Sequence, residues 1–181
     1  MRASRLTLVA VATLGALVLG AAVAAEAAHD RRQASAPALA PQALETFPPR
    51  TCPVPAQYRL VIDAASADTG LPVALLSAVA QVESGFDHRA VSSAGARGVL
   101  QVLPSTARSL GFDANHRHEA VLAGARYLRL MRDRFDSMPL ALAAYNAGPS
   151  AVSAAGGTPS ARVAGYVASV TARWRQTAGC A

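Results

Sequence analysis

The chain has 181 residues, 52% of them hydrophobic, with 17 basic against 11 acidic side chains and a formal net charge of +6. Two cysteines exclude a disulfide-dense scaffold, and arginines scattered without interleaved aromatics exclude a single-strand nucleic-acid groove. Lysine is absent, which with abundant alanine points to a GC-rich coding sequence before it points to a binding surface; a net positive charge nonetheless draws a domain to anionic polymers or membrane surfaces.

Arg2 and Arg5 precede the uncharged run LTLVAVATLGALVLGAAVAA, followed by small residues at Ala22-Val23-Ala24 and Ala25-Glu26-Ala27. This pattern predicts a secretory signal peptide over residues 1–27, with an uncleaved membrane anchor as the alternative. No cysteine is placed there for lipid attachment. Export to the periplasm, the cell wall or the extracellular space is therefore expected. Residues 28–50, rich in Ala, Pro and Gln, suit a flexible linker. Residues 51–181 remain for folding, enough for one core and too few for two ordinary domains, and the domain is expected to be a monomer. Cys52 and Cys180 bracket this segment. An oxidising compartment favours their pairing over two free thiols or an intermolecular bond.

Within the folded segment no strand alternation is evident. Pro55 opens a first helix with Tyr58, Val61, Ile62 and Ala65 on its buried face, ended by Gly70. Pro72 opens a second, in which Leu76, Val79 and Ala80 share a face with Glu83, and Gly85 stops it. A connector leads to a short helix from Pro104 to Gly111. A longer helix spans Glu119 to Phe135, with Val121, Leu122, Ala125, Leu128 and Met131 as its inner stripe and Asp133 and Asp136 among Arg129, Arg132 and Arg134 on a solvated, partly paired face. Another runs from Pro139 through Tyr145 to a stop at Gly148-Pro149. A last helix buries Val163, Tyr166 or Val167, Val170 and Trp174. The fold class is mainly α.

Between Thr51 and Ala181 the carboxylates are Glu83, Glu119 and six aspartates. Only Glu83 combines an apolar helical face with an adjoining loop, an environment that disfavours ionisation and suits a general acid. Position alone leaves open a frayed helix end pointing into water. Glycosidases ordinarily pair two carboxylates. Here either Asp87 assists, or the nucleophile belongs to the substrate or is a water held by neutral groups. His88, His116 and His118 lack a carboxylate at ligand spacing, so no metal and no other cofactor is expected.

The blocks ESGFDHRAVSSAGARGVLQVLPSTA, GARYLR and LALAAYNAGP, in this order and spacing, resemble the catalytic domain of the soluble lytic transglycosylases, relatives of goose-type lysozyme. The resemblance covers nearly all of residues 51–181. It implies a single lysozyme-like helical domain with a substrate cleft and an activity on peptidoglycan glycan strands, cutting the β-1,4 bond from N-acetylmuramic acid to N-acetylglucosamine. It further implies that Glu83 acts first as acid and then as base, while the muramic acid 6-hydroxyl closes a 1,6-anhydro ring. Leu100 and Gln101 would line the cleft, and Tyr145 and Asn146 would present polar groups to Glu83 or to the sugar. Tyr166 matches a cleft tyrosine, although a core role fits its spacing almost equally, and Ser84 and Ser92 would fix loop backbone.

Three departures stand out: GVLQ where the family more often has Gly-Leu-Met-Gln, HRHEAVLA before GARYLR without the Asn-Ile often found there, and Arg162 where many relatives carry glutamate. A hydrolytic muramidase of the same fold and a non-catalytic wall-binding protein are the competing readings. An envelope-spanning assembly is a candidate protein partner alongside wall turnover and attack on other cells.

Overall fold

Prolines set the starts of most helices, because a ring-locked φ fits the first helical turn and the missing N–H is not needed there. The structure, a computed structural model, describes residues 52–180. The expected signal peptide and linker lie outside the described residues. After Pro55 a single 3-10 turn, Ala56–Tyr58, leads into α1 (Arg59–Thr69), which closes at Gly70 in the left-handed region, φ 68°. There follow α2 (Val73–Glu83), α3 (Pro104–Ser109), α4 (Arg117–Phe135), α5 (Met138–Ala147), α6 (Pro149–Ala155) and α7 (Ala161–Gln176). No strand occurs among the described residues; two isolated antiparallel bridges join Val91 to Arg97 and Arg97 to Val102.

The first helix buries Tyr58, Ile62 and Ala65 completely, as the 3, 4, 7 spacing requires. α2 is different in kind. Ala74 through Ala80 are all buried, so this helix is covered on every side instead of along one stripe. α1 and α7 pack against it, while α4 packs on α1 and α5, and α5 on α7. The predicted inner stripe of α4 is buried at Val121, Ala125, Leu128 and Met131, with Leu122 half-buried at its edge. Its outer face carries the expected arginine pairs, Arg129 to Asp133 at 2.8 Å and Arg132 to Asp136 at 3.1 Å, and Arg126 reaches across to Asp68 at 2.6 Å.

One element departs from the sequence reading. Gly148-Pro149 was expected to end a helix, and it does, but the same proline begins α6 at its first position. Gly148, at φ 86° and ψ 145°, makes the break that lets one helix stop and the next start without a loop. α4 also begins at Arg117, two residues before the predicted Glu119.

Cys52 and Cys180 form a disulfide, with Cα atoms 4.8 Å apart and 128 positions between them in sequence. The Arg59 guanidinium donates to the Cys52 carbonyl at 3.0 Å, which fixes the chain entry to α1. Closing so long a loop removes much entropy from the unfolded chain. Replacing both cysteines by serine should therefore lower the unfolding free energy by about 2–4 kcal/mol, measured as a lower urea midpoint. Equal midpoints for the native protein and the double variant would contradict this.

Candidate active site

Glu83 is the last residue of α2. Leu76, Val79 and Ala80, on its own helical face, are at most 1% exposed, so the carboxyl projects from the end of a dry helix. Gly85, at φ 60°, turns the chain away immediately afterwards. Glu83 itself is half-buried, and burial raises its pKa above the usual glutamate value. One interaction works in the opposite direction: the Tyr166 hydroxyl, from α7, donates to Glu83 Oε1 at 2.7 Å and favours the charged carboxylate. Burial is the larger effect. Tyr166 remains a neutral donor, because its own burial, the neighbouring Glu83 charge and Tyr145 push its hydroxyl pKa far up. Of the two roles that its spacing allowed, contact with the acid is the one realised.

Among the described residues no second carboxylate hydrogen-bonds to this pair. Asp87 is exposed, and its Oδ1 accepts the Arg89 backbone N–H at 2.8 Å, capping its own turn. Glu119 accepts the Asp113 backbone N–H at 2.8 Å and lies 3.3 Å from His116 Nδ1. That histidine, expected to lack a carboxylate partner, has two, since Asp113 is 3.5 Å away. The three make a polar surface cluster across a turn, with the carboxylates three positions before and three after the histidine, a spacing visible in the sequence.

The GVLQ block is a tight turn. Arg97 and Val102 exchange backbone hydrogen bonds at 2.9 and 3.2 Å, enclosing Gly98 to Gln101. Gly98 and Gln101 both have positive φ, 73° and 48°. For Gln101 this is strained backbone, of a kind that costs on the order of 1–3 kcal/mol and is kept where the surroundings hold it. The holding contacts are specific. The Gln101 amide Nε2 donates to the Ala90 and Gly98 carbonyls at 3.0 and 2.9 Å, clasping the turn to the preceding loop. Ser84 donates to the Val99 carbonyl at 2.9 Å, and Tyr145, from α5, donates to the Leu100 carbonyl at 2.6 Å. Ser92 Oγ accepts the Ala96 N–H at 3.0 Å further back in the loop. Ser84 and Ser92 thus act on loop backbone, as expected.

Two expected placements are corrected. Leu100 is 1% exposed: its side chain fills a notch above Gly124 on α4 and offers a sugar no surface. The Tyr145 hydroxyl does not reach Glu83 but is spent on Leu100, although Tyr145 lies close enough for the Glu83 charge to add to the burial that raises its pKa. Tyr127, whose ring is 5.4 Å from that of Tyr145, and Gly124 were not singled out from the sequence. For Gly124 a signal existed, a glycine inside a strongly helical run.

A depression of about 220 Å³ adjoins this turn, lined by Gln101, Val102, Leu103, Thr106, Tyr127, Tyr145, Asn146, Ala147 and Gly148. At its wall Asn146 Oδ1 is buried without a hydrogen-bond partner among the described residues. Such an orphan is uncommon in a native fold and fits an acceptor whose donor comes with a ligand. Larger hollows, of about 380 and 410 Å³, flank Trp174 at the other ends of α2, α5 and α7, away from Glu83. Volume therefore does not mark the site; the buried acid does.

Residues 60–164, more than half of the chain, match the family model described as Transglycosylase SLT domain. The chain belongs to this family. A transglycosylase of Enterobacteria phage PRD1 is 39% identical over 93 residues, covering 51% of this chain and 35% of the phage protein. The membrane-bound lytic murein transglycosylase F 2 of Alkalilimnicola ehrlichii is 37% identical over 103 residues, covering 51% and 22%. Among solved structures, an inactive mutant of the lytic transglycosylase Slt from Pseudomonas aeruginosa superposes with a TM-score of 0.58 at 26% identity, over 66% of this chain and 24% of that one. The 70 kDa soluble lytic transglycosylase of Escherichia coli, at 22% identity and a TM-score of 0.58, shares the fold over 68% and 25%. The SLT chain thus spans about a third or less of the length of these relatives.

Two expectations follow from this geometry. A Cβ built on Gly124 would stand 2.6 Å from Leu100 Cβ and 3.0 Å from the Tyr145 hydroxyl. An alanine there should gain about 1 kcal/mol of helix propensity yet lose about 1–3 kcal/mol to overpacking. Urea unfolding of Gly124→Ala should therefore show no stabilisation, and a gain in midpoint would show that the notch is not tight. The second concerns pH. With its folded pKa raised above the ordinary 4.5, Glu83 favours the fold while protonated, and that contribution is lost as pH rises through the folded pKa. Glu83→Gln does not titrate. Its stability relative to the native protein should rise between pH 4 and pH 7, and thermal melts at the two pH values would refute this by giving the same difference at both.

Proposed function

We propose that this chain is an exported peptidoglycan lytic transglycosylase, with Glu83 as the single acid and base. The observation that carries the proposal is a half-buried carboxyl, held by a tyrosine and with no second carboxylate beside it. Protonated Glu83, whose proton affinity burial raises, delivers its proton to the glycosidic oxygen between N-acetylmuramic acid and N-acetylglucosamine, so the C1–O bond breaks with the leaving sugar as a neutral alcohol. The substrate acetamido oxygen stabilises the resulting cationic C1. The carboxylate left behind, now favoured by the Tyr166 hydrogen bond, removes the proton from the muramic acid 6-hydroxyl, whose oxygen bonds to C1 and closes the 1,6-anhydro ring. Glu83 ends protonated, and no water is consumed. A nucleophile already tethered to the reacting ring has the orientation advantage of an intramolecular reaction, which removes the need for a second protein carboxylate.

Asn146 contributes the orphaned acceptor, suited to an acetamido N–H of the sugar. Tyr145, Ser84 and Gln101 hold the turn that walls this side, and Leu100 supports it from beneath. The Cys52–Cys180 disulfide accords with an oxidising, extracytoplasmic setting. The lytic murein transglycosylases among the relatives support the same substrate class.

The test is digestion of purified peptidoglycan followed by mass spectrometry of the fragments. Anhydro-ended products are expected, and Glu83→Gln should lower their release by at least about 100-fold, the scale of a lost general acid. Reducing-end products from the native protein would instead make it a hydrolase. Undiminished release by Glu83→Gln would remove Glu83 from the chemistry.

A further inference from the structure

Arg162 lies on α7 one helical turn before Tyr166, so the two side chains issue from the same face of the helix. α7 packs on α2, and Tyr166 stands level with Glu83, where α2 ends. Side chains lean toward the N-terminus of their helix, and one turn advances about 5 Å along the axis. Arg162 therefore projects past the end of α2, where no further turn of that helix lies opposite. It is exposed. Three arginines on α4 hold carboxylates, Arg126 with Asp68, Arg129 with Asp133 and Arg132 with Asp136, and two others reach neutral or imidazole partners, Arg117 at His88 and Arg134 at Ser153. Arg162 has no carboxylate partner among the described residues, and as a cation in the first turn of its helix it gains nothing from the helix dipole. Neither an ion pair nor helix stability accounts for it.

We propose that Arg162 is a specificity determinant of the cleft, receiving a carboxylate carried by the glycan strand beside the bond to be cut. The inference rests on the transglycosylase reading for its substrate class. A guanidinium presents a planar fork that matches a carboxylate with two parallel hydrogen bonds. Peptidoglycan offers that group in two places: the lactyl carboxylate of muramic acid where the peptide stem has been removed, and the free carboxylates of the stem itself.

The experiment compares native protein with Arg162→Gln and Arg162→Glu on stem-free and stem-bearing strands, each with its carboxyls intact or converted to amides. Binding is read by co-sedimentation, which needs no cleavage, and turnover is read in parallel. Native protein should prefer intact over amidated strands by about fivefold, the upper range for an exposed ion pair. The preference should vanish in Arg162→Gln and reverse in Arg162→Glu, and in turnover it should fall on KM and leave kcat unchanged. A preference on stem-free strands assigns the lactyl carboxylate, and one confined to stem-bearing strands assigns the stem. The same preference in native protein and Arg162→Gln would overturn the proposal. If native protein shows the preference in binding but releases no fragments, the lyase reading fails and this one stands.

Discussion

The fold depends on a helix that is dry on all sides from Ala74 to Ala80 and ends in a carboxyl. α2 can be covered completely because Ala74 through Ala80 carry only small or apolar groups, with Ser77 as the one polar side chain, and Ser77 donates to the Pro53 carbonyl at 3.4 Å. A helix with a solvated face would have left Glu83 in water and its proton affinity near the ordinary value. Enclosing α2 between α1 and α7 raises the proton affinity of its terminal acid, so packing far from the cleft bears on the chemistry within it.

The second constraint concerns the GVLQ turn. Its strained backbone persists because three elements hold it: Ser84 at the end of α2, Tyr145 on α5, and the notch that Gly124 opens in α4. The same contacts join the wall of the depression to the residue next to the acid. Displacing the turn would therefore disturb the Glu83 end of α2 and the Asn146 wall together, so residues that touch no sugar still bear on the site.

Much of this was legible in sequence wherever one face of one element decided the outcome. Ile62 and Ala65, or Val121 and Leu128, follow helical spacing into the core, and Glu83 stood out by sitting on such a face beside a glycine stop. The arginine pairs on α4 were legible for the same reason. What escaped depended on approach between elements. Nothing local says that the Tyr145 hydroxyl will meet the Leu100 carbonyl 45 positions away, or that Leu100 will fill a notch at Gly124. α6 escaped for a different reason. Gly148-Pro149 carries a stop and a start in two residues, and only the stop was recognised.

The pairing of Glu83 with Tyr166 bears on why one carboxyl can serve twice. An acid raised only by burial gives up its proton reluctantly, which works against the first half of the reaction. An acid stabilised only by hydrogen bonds would lose its proton before any substrate arrived. Here burial and the 2.7 Å hydrogen bond oppose each other on the same carboxyl, with burial the stronger. Burial raises the affinity for the proton that the first step delivers, and the charged form, once made, finds a donor already in place. A neutral donor is the right partner for this. An arginine at that position would fix the carboxylate permanently, whereas the tyrosine hydroxyl supports the charge without abolishing the proton affinity that the first step requires.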